Sequence, residues 1–253
     1  MDERILFAWT LSALAGLSTT IGSLLGIAVR KPGPRFMTLT LGFSAGVMIL
    51  VSFVELLQGG VEAVGFLGAH VAFFSGMAAM FLVDVLVPHE YLGQDDRKGP
   101  EMKGSPLLKT GLFVALGIGI HNFPEGMAAF AGALEDPSLG IAIAVAIAIH
   151  NVPEGVAVAA PIYAATGSRK RAFLWSFFSG LSEPVGAGVA ALVLLPFLTP
   201  AILGYVLASV GGIMVFISLD ELVPVARSFG HEHLAILGIL IGMIVMAVSL
   251  WLL

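Results

Sequence analysis

The chain contains no cysteine, so disulfides, thiolate metal sites and cysteine nucleophiles are all excluded. Charge is almost as scarce: Lys, Arg, Asp and Glu make up 11% of the 253 residues, against about 25% in an ordinary soluble domain. The formal net charge of -5 is small and scattered, which argues against nucleic acid or an anionic surface as a partner. What remains is apolar, with 58% hydrophobic residues and a mean hydropathy of +0.99. At about 20 apolar residues per span, such a chain has room for about eight spans and for no soluble domain besides. The composition predicts an all-α polytopic membrane protein whose surroundings are the lipid bilayer.

Apolar runs between the few charges predict eight transmembrane helices in a single domain, 1–253. Their limits are 5–29, 36–57, 64–88, 107–133, 138–165, 172–196, 201–224 and 233–253, with a loop over 89–106. The first run opens with Asp2 and Glu3 and is too acidic in front and too long for a cleaved leader, so it is expected to be a span. Eleven of the twelve basic residues fall between spans one and two, three and four, five and six, or seven and eight, and only Arg4 lies opposite. Cytoplasmic loops collect Lys and Arg, so both termini are expected outside the cytoplasm and loop 89–106 within it. Small residues recur at helix-packing spacing in Gly42-x-x-x-Gly46 and Gly238-x-x-x-Gly242, where they serve close helix approach.

The informative residues are the polar ones inside the spans. His121-Asn122-Phe123-Pro124-Glu125-Gly126 and His150-Asn151-Val152-Pro153-Glu154-Gly155 repeat one pattern, HN-x-PEG, 29 residues apart and in consecutive spans. Both His lie at matched depth near mid-span, where ionisable groups are costly and by default functional. Four residues advance about 6 Å along a helix and return to nearly the same face, so each His shares a face with its Glu. Asn122 and Asn151 lie about 100° around. Pro124 and Pro153 free the carbonyls of Ile120 and Ile149 and kink each helix. Broken backbone at membrane depth is tolerated only beside protein or a polar cavity. A third acid, Glu183 in Ser182-Glu183-Pro184, occupies the middle of the sixth span. Imidazole, amide oxygen and carboxylates converging in one place suit a divalent transition metal such as zinc or iron(II).

The plainer readings are that a lone intramembrane His satisfies an interhelical hydrogen bond, that Glu183 is a packing or relay acid, and that Met48 is core filler rather than a thioether ligand. Two matched copies of a six-residue pattern weigh against the structural reading. Glu55 at one end, with Asp84, Asp220 and Glu221 at the other, are expected either to be solvated at the interfaces or to mark the ends of an ion path.

At these residues the sequence resembles the ZIP (Zrt/Irt-like) family of divalent-metal transporters, in particular its bacterial zinc-uptake branch. The paired HNFPEG and HNVPEG strings carry the likeness, supported by Pro161–Ser168, Ser179–Glu183 and Ser218–Pro224. The resemblance implies eight helices arranged as three, two and three, with the outer triplets as inverted repeats, in a bacterial cytoplasmic (inner) membrane. It implies a transporter rather than an enzyme, with Zn2+ carried and bound, and Fe2+, Mn2+, Cd2+ or Co2+ as further substrates. It also implies a two-metal centre, with His121, Glu125, His150 and Glu154 forming one site. Asn122, Glu125, Asn151, Glu154 and Glu183 would form the other. The assembly, including a homodimer, stays open.

Two alternatives remain at this level. An intramembrane metal-dependent hydrolase needs His-Glu-x-x-His with a glutamate base, and here Asn122 and Asn151 stand where that base would be. A permease for an organic solute, with the metal purely structural, is the other.

Overall fold

The computed structural model describes residues 2–28, 33–86, 105–194, 197 and 199–252. Arg30, Lys31, Arg97, Lys98 and Lys103, and loop 89–106 up to residue 104 with His89, Glu90, Asp95 and Asp96, lie outside the described residues. Among the described residues all regular structure is helical. That is the expected result for lipid, since a helix satisfies its own backbone groups where no water can.

The helices are α1 (Glu3–Ala28), α2 (Pro34–Val51), α3 (Gln58–Leu86), α4 (Ser105–Glu135), α5 (Pro137–Thr166), α6 (Arg169–Val189), α7 (Pro200–Ile217), α8 (Val223–Ser228) and α9 (Glu232–Leu252). Three stretches widen into π-helical turns: Ser52–Leu57 after α2, Ala190–Leu194 after α6 and Ser218–Leu222 between α7 and α8. Local chemistry sets the boundaries. Pro137 opens α5, and the Asp136 carboxylate accepts the backbone N–H groups of Ser138 and Leu139 at 2.6 and 3.1 Å. Those two bonds hold the Asp136 carboxyl below the usual carboxylate range. Gly167 ends α5 at φ 64°, and Ser168 and Thr199 accept the N–H groups of Arg171 and Ile202 at the starts of α6 and α7.

The expected gap between the second and third spans does not exist as a loop. The chain is helical from Pro34 to Leu86, interrupted only at Gly65, with φ 76° and ψ 166°. Residues 58–64 carry no proline; Gly59 and Gly60 stay helical, with Gly60 packed against Gly204 and Ala208 of α7, and of the three glycines only Gly65 takes the positive φ that breaks the helix. Six stretches among the described residues are long and apolar enough to cross a membrane: Glu3–Ala28, Pro34–Val85, Pro137–Tyr163, Arg169–Val193, Pro200–Ser228 and Glu232–Leu252. The protein is an integral membrane protein.

Backbones meet at glycines. In one group of helices Gly46 of α2 lies on the backbone of Ile239 in α9, and Gly212 of α7 lies on that of Phe73 in α3. In the same group Gly242 rests on Phe43 and Gly76 on Ser209. In the other group α1, α4, α5 and α6 surround the HN-x-PEG motifs. There Gly22 rests on Val152, Gly155 on Thr19, Gly186 on Phe123 and Gly126 on Glu183. Gly16 and Gly180 face each other directly. Without hydrophobic association in lipid, such close van der Waals approach is what holds helices together. It also brings α1 and α6 flat against the two motifs.

Candidate metal centre

All seven expected ligand residues are buried, at most 1% exposed, and six of them, His121, Glu125, His150, Asn151, Glu154 and Glu183, face one another, while Asn122 bonds to the Ser179 carbonyl. They pair crosswise between helices rather than along them. His121 Nε2 lies 3.2 Å from Glu154 Oε1, and His150 Nε2 lies 3.3 Å from Glu125 Oε1 and 3.4 Å from its Oε2. Each motif thus supplies the histidine for the other's glutamate. As they stand, no group of three His, Asp or Glu side chains among the described residues is gathered closely enough to hold an ion.

The tautomer of His150 sharpens the chemistry. Its Nδ1 faces the Ala146 carbonyl at 3.1 Å and can only donate there, so in the neutral ring Nε2 turns a lone pair toward the Glu125 carboxylate. Two acceptors at that distance need a proton or a metal ion between them.

The carboxamides are set by backbone carbonyls. Asn151 Nδ2 donates to the Ala15 carbonyl of α1 at 3.1 Å and to Glu183 Oε1. Asn122 Nδ2 donates to the Ser179 carbonyl of α6 at 3.3 Å. Ser179 is itself tied across to α4, its hydroxyl donating to the Ala115 carbonyl at 2.8 Å. With the amide nitrogens turned to these carbonyls, both amide oxygens are left over. Six atoms of the cluster make no hydrogen bond: His121 Nδ1, Asn122 Oδ1, Glu125 Oε1, Asn151 Oδ1, Glu154 Oε2 and Glu183 Oε2. Buried polar atoms are ordinarily satisfied. Five oxygen acceptors without a donor, beside two imidazoles, are atoms of the types that divalent cations take as ligands.

The outlying expected residues separate. Met48 is fully buried in the apolar core, and its backbone carbonyl accepts the Ser52 hydroxyl at 2.6 Å. Glu55, in the first π-helical turn, is half-buried, as are Asp84 and Asp220. Glu221 is 8% exposed and reaches further in. Its carboxylate packs on Gly117 of α4, one turn before His121, and it stands within electrostatic reach of His121, Asp84 and Asp220.

Sequence reasoning passed over Ala15, Ser179, Gly117 and Ala146. A signal for part of this was present. Met48-x-x-x-Ser52-x-x-Glu55-Leu56 recurs 166 residues later as Met214-x-x-x-Ser218-x-x-Glu221-Leu222, and each serine opens a π-helical turn.

Comparison with known proteins gives the family. A family model described as ZIP Zinc transporter matches residues 85–250. The chain is 50% identical to a "Zinc transporter ZupT" of Chlorobaculum parvum over 99% of this chain and 98% of the relative. It is 53% identical to a protein of that name from Chlorobium luteolum, over 97% of each. A third from Clostridium perfringens is 46% identical, over 98% of this chain and 96% of the relative. The chain belongs to the ZIP family of zinc transporters, and so to transporters rather than to enzymes.

Proposed function

We propose that the chain carries Zn2+ into the cytoplasm through a two-metal centre between α4, α5 and α6. The observation that supports this best is the set of unpartnered lone pairs among the seven buried ligands. His121, Glu125, His150 and Glu154 serve one ion. Asn122, Asn151 and Glu183, with the two shared glutamates, serve its neighbour. The same nitrogen and oxygen donors accept Fe2+, Mn2+, Co2+ and Cd2+.

Eight spans are the reading that fits the helices best. Pro34–Val85 has 52 residues, which is about twice the length one span requires, and it breaks at Gly65. Two spans there, together with α4, bring the six stretches to eight. An inverted repeat accounts for the packing. Gly46 on Ile239 and Gly212 on Phe73 are one contact repeated 166 residues on with the partners' order exchanged. Gly242 on Phe43 and Gly76 on Ser209 are another. Around the centre the shift is 164: Gly22 on Val152 answers Gly186 on Phe123, and the Ala15 carbonyl on Asn151 answers the Ser179 carbonyl on Asn122.

The eleven basic residues support loops 1–2, 3–4, 5–6 and 7–8 in the cytoplasm, with both termini outside it. An incoming ion then meets Glu55, the Glu125 end of the centre and the Glu154 end, and leaves past Glu221, Asp220 and Asp84. Successive carboxylates pass a cation on without leaving it bare in hydrocarbon. Purified protein in liposomes should take up zinc saturably, and a panel of organic solutes should neither compete nor be carried. Transport of an organic solute with zinc retained inside the protein would refute this reading.

A further inference from the structure

The two helices that flank the motifs repeat each other in sequence as well as in packing. Gly16-Leu17-Ser18-Thr19-x-x-Gly22 of α1 recurs as Gly180-Leu181-Ser182-Glu183-x-x-Gly186 of α6, 164 residues on. Ser12 and Ser176 match at the same offset. The hydrogen bonds repeat too. Ser18 donates to the Ala15 carbonyl at 2.5 Å and Ser182 to the Ser179 carbonyl at 2.6 Å, and those two carbonyls hold Asn151 and Asn122. Within the repeated string the ligand position differs: α6 carries Glu183, and α1 carries Thr19.

Packing puts Thr19 where the repeat assigns it. Its backbone carbonyl lies against Gly155 of the second motif, as the Glu183 carbonyl lies against Gly126 of the first. A methyl on Gly180 would meet Thr19 Cβ at 2.9 Å, and one on Gly16 would meet Glu183 Cβ at 3.2 Å, so the two side chains flank the α1–α6 crossing alike. Glu183 reaches across to Asn151 of α5. The same relation turns Thr19 toward Asn122 of α4. Thr19 is fully buried, and its hydroxyl makes no hydrogen bond. The carbonyl one turn back on its own helix, that of Ala15, already accepts Ser18 and Asn151. Asn122 Oδ1 is likewise unpartnered. Two buried oxygens are thus left over at positions that the repeat makes neighbours.

We infer that Thr19 is an eighth ligand residue, whose hydroxyl oxygen joins Asn122 Oδ1 on the second ion from the α1 side. The inference rests on the two-metal reading above, and it adds a residue and a reason for its neutrality. A hydroxyl ligates through a lone pair and brings no charge. Glu125, Glu154 and Glu183 give three carboxylates for two divalent ions. A glutamate at position 19, completing the repeat, would add a fourth and match the charge of the ions. A transported ion must be held firmly enough to enter and weakly enough to leave. Thr19 keeps the centre one charge short of that balance, and so sets how readily the second ion departs.

The test is calorimetric zinc binding to the full-length protein in detergent, together with uptake into proteoliposomes. Thr19→Val keeps the shape and removes the hydroxyl. Without metal it should melt no lower than the parent, because an unbonded buried hydroxyl costs stability rather than adding it. It should nonetheless weaken the second zinc equivalent about ten-fold, the low end of the loss for one contact around a bound metal. The first equivalent should bind as in the parent. Thr19→Ser should restore parent-like binding. Thr19→Glu should hold the second zinc more tightly and lower kcat for uptake. A lower melting temperature, or parent-like affinity for both ions, in Thr19→Val would overturn the assignment. So would a Thr19→Ser that binds as weakly as Thr19→Val, or a Thr19→Glu with parent-like affinity and kcat. Glu154→Gln is the separate control: if it binds and carries zinc like the parent, the centre itself is misassigned, whatever Thr19 does.

Discussion

Gly126 follows Glu125 in the first motif, and its place in the packing makes a sharp prediction. A Cβ at Gly126 would fall on the backbone carbonyl of Glu183. Backbone of a packed helix cannot give way as a flexible side chain can. Overpacking of this kind costs about 1–3 kcal/mol. Gly119, two turns earlier on α4, is the matched control, since the nearest heavy atom to a Cβ there is Ser179 Cα at 3.9 Å, an ordinary contact. Gly119→Ala should therefore show the helix-propensity gain of up to about 1 kcal/mol. Gly126→Ala should lose more than that gain returns. The two variants should differ by about 1–3 kcal/mol, which at 2–4 °C per kcal/mol for a chain of this size is about 2–12 °C in melting temperature. Intrinsic fluorescence of the three tryptophans offers the readout. Moving α6 off α4 also draws Glu183 from Asn151, so Gly126→Ala should weaken zinc binding while Gly119→Ala should not. Equal melting temperatures and equal affinities for the two would refute the argument that close backbone contact positions Glu183.

Other outcomes follow from the same geometry. Glu154→Gln retains shape and removes a charge that faces His121 at 3.2 Å. It should abolish zinc uptake while the protein still reaches the membrane, which immunoblotting of membrane fractions would check. Asn122→Ala or Asn151→Ala should change the ratio of zinc to manganese uptake rather than end transport, and unchanged ratios would remove the carboxamides from the ligand set. Cysteines placed singly at Ser138 and Gly99 should differ in intact cells treated with an impermeant thiol reagent. Ser138 should label and Gly99 should not, with no native cysteine to interfere. The Asp136 cap, whose folded-state pKa is lowered by its two backbone bonds, stabilises α5 at neutral pH. That contribution should be lost as pH falls through the folded-state value, and a melt of Asp136→Asn with no change in its acid profile relative to the parent would contradict it.

The buried polar cluster was legible in the sequence because each motif is local: His, Asn and Glu sit within five residues on one helix, and helical periodicity does the rest. What local reading does not carry is contact between distant backbones. The groups that turn Asn122 and Asn151 are carbonyl oxygens of Ser179 and Ala15, and a carbonyl has no signature in the sequence. The repeat of packing was hidden for a related reason. It is written in glycines that admit a neighbour's backbone, such as Gly46 and Gly212, while the residues they touch, Ile239 and Phe73, share only bulk. The break at Gly65 was misplaced because the second and third spans were divided by hydropathy, whereas the chain turns on a single backbone angle.

The carbonyls that claim the amide hydrogens of Asn122 and Asn151 have an effect beyond posture. They leave both amides with only their oxygens unspent, so five of the six unbonded atoms of the cluster are oxygens and its remaining N–H donors belong to the imidazoles. Such a set of acceptors disfavours chloride and the carboxylate of an organic acid, which find no amide donor there and would be stranded at a cost of several kcal/mol. On the proposed reading, such a centre sorts its cargo by sign before it sorts by size.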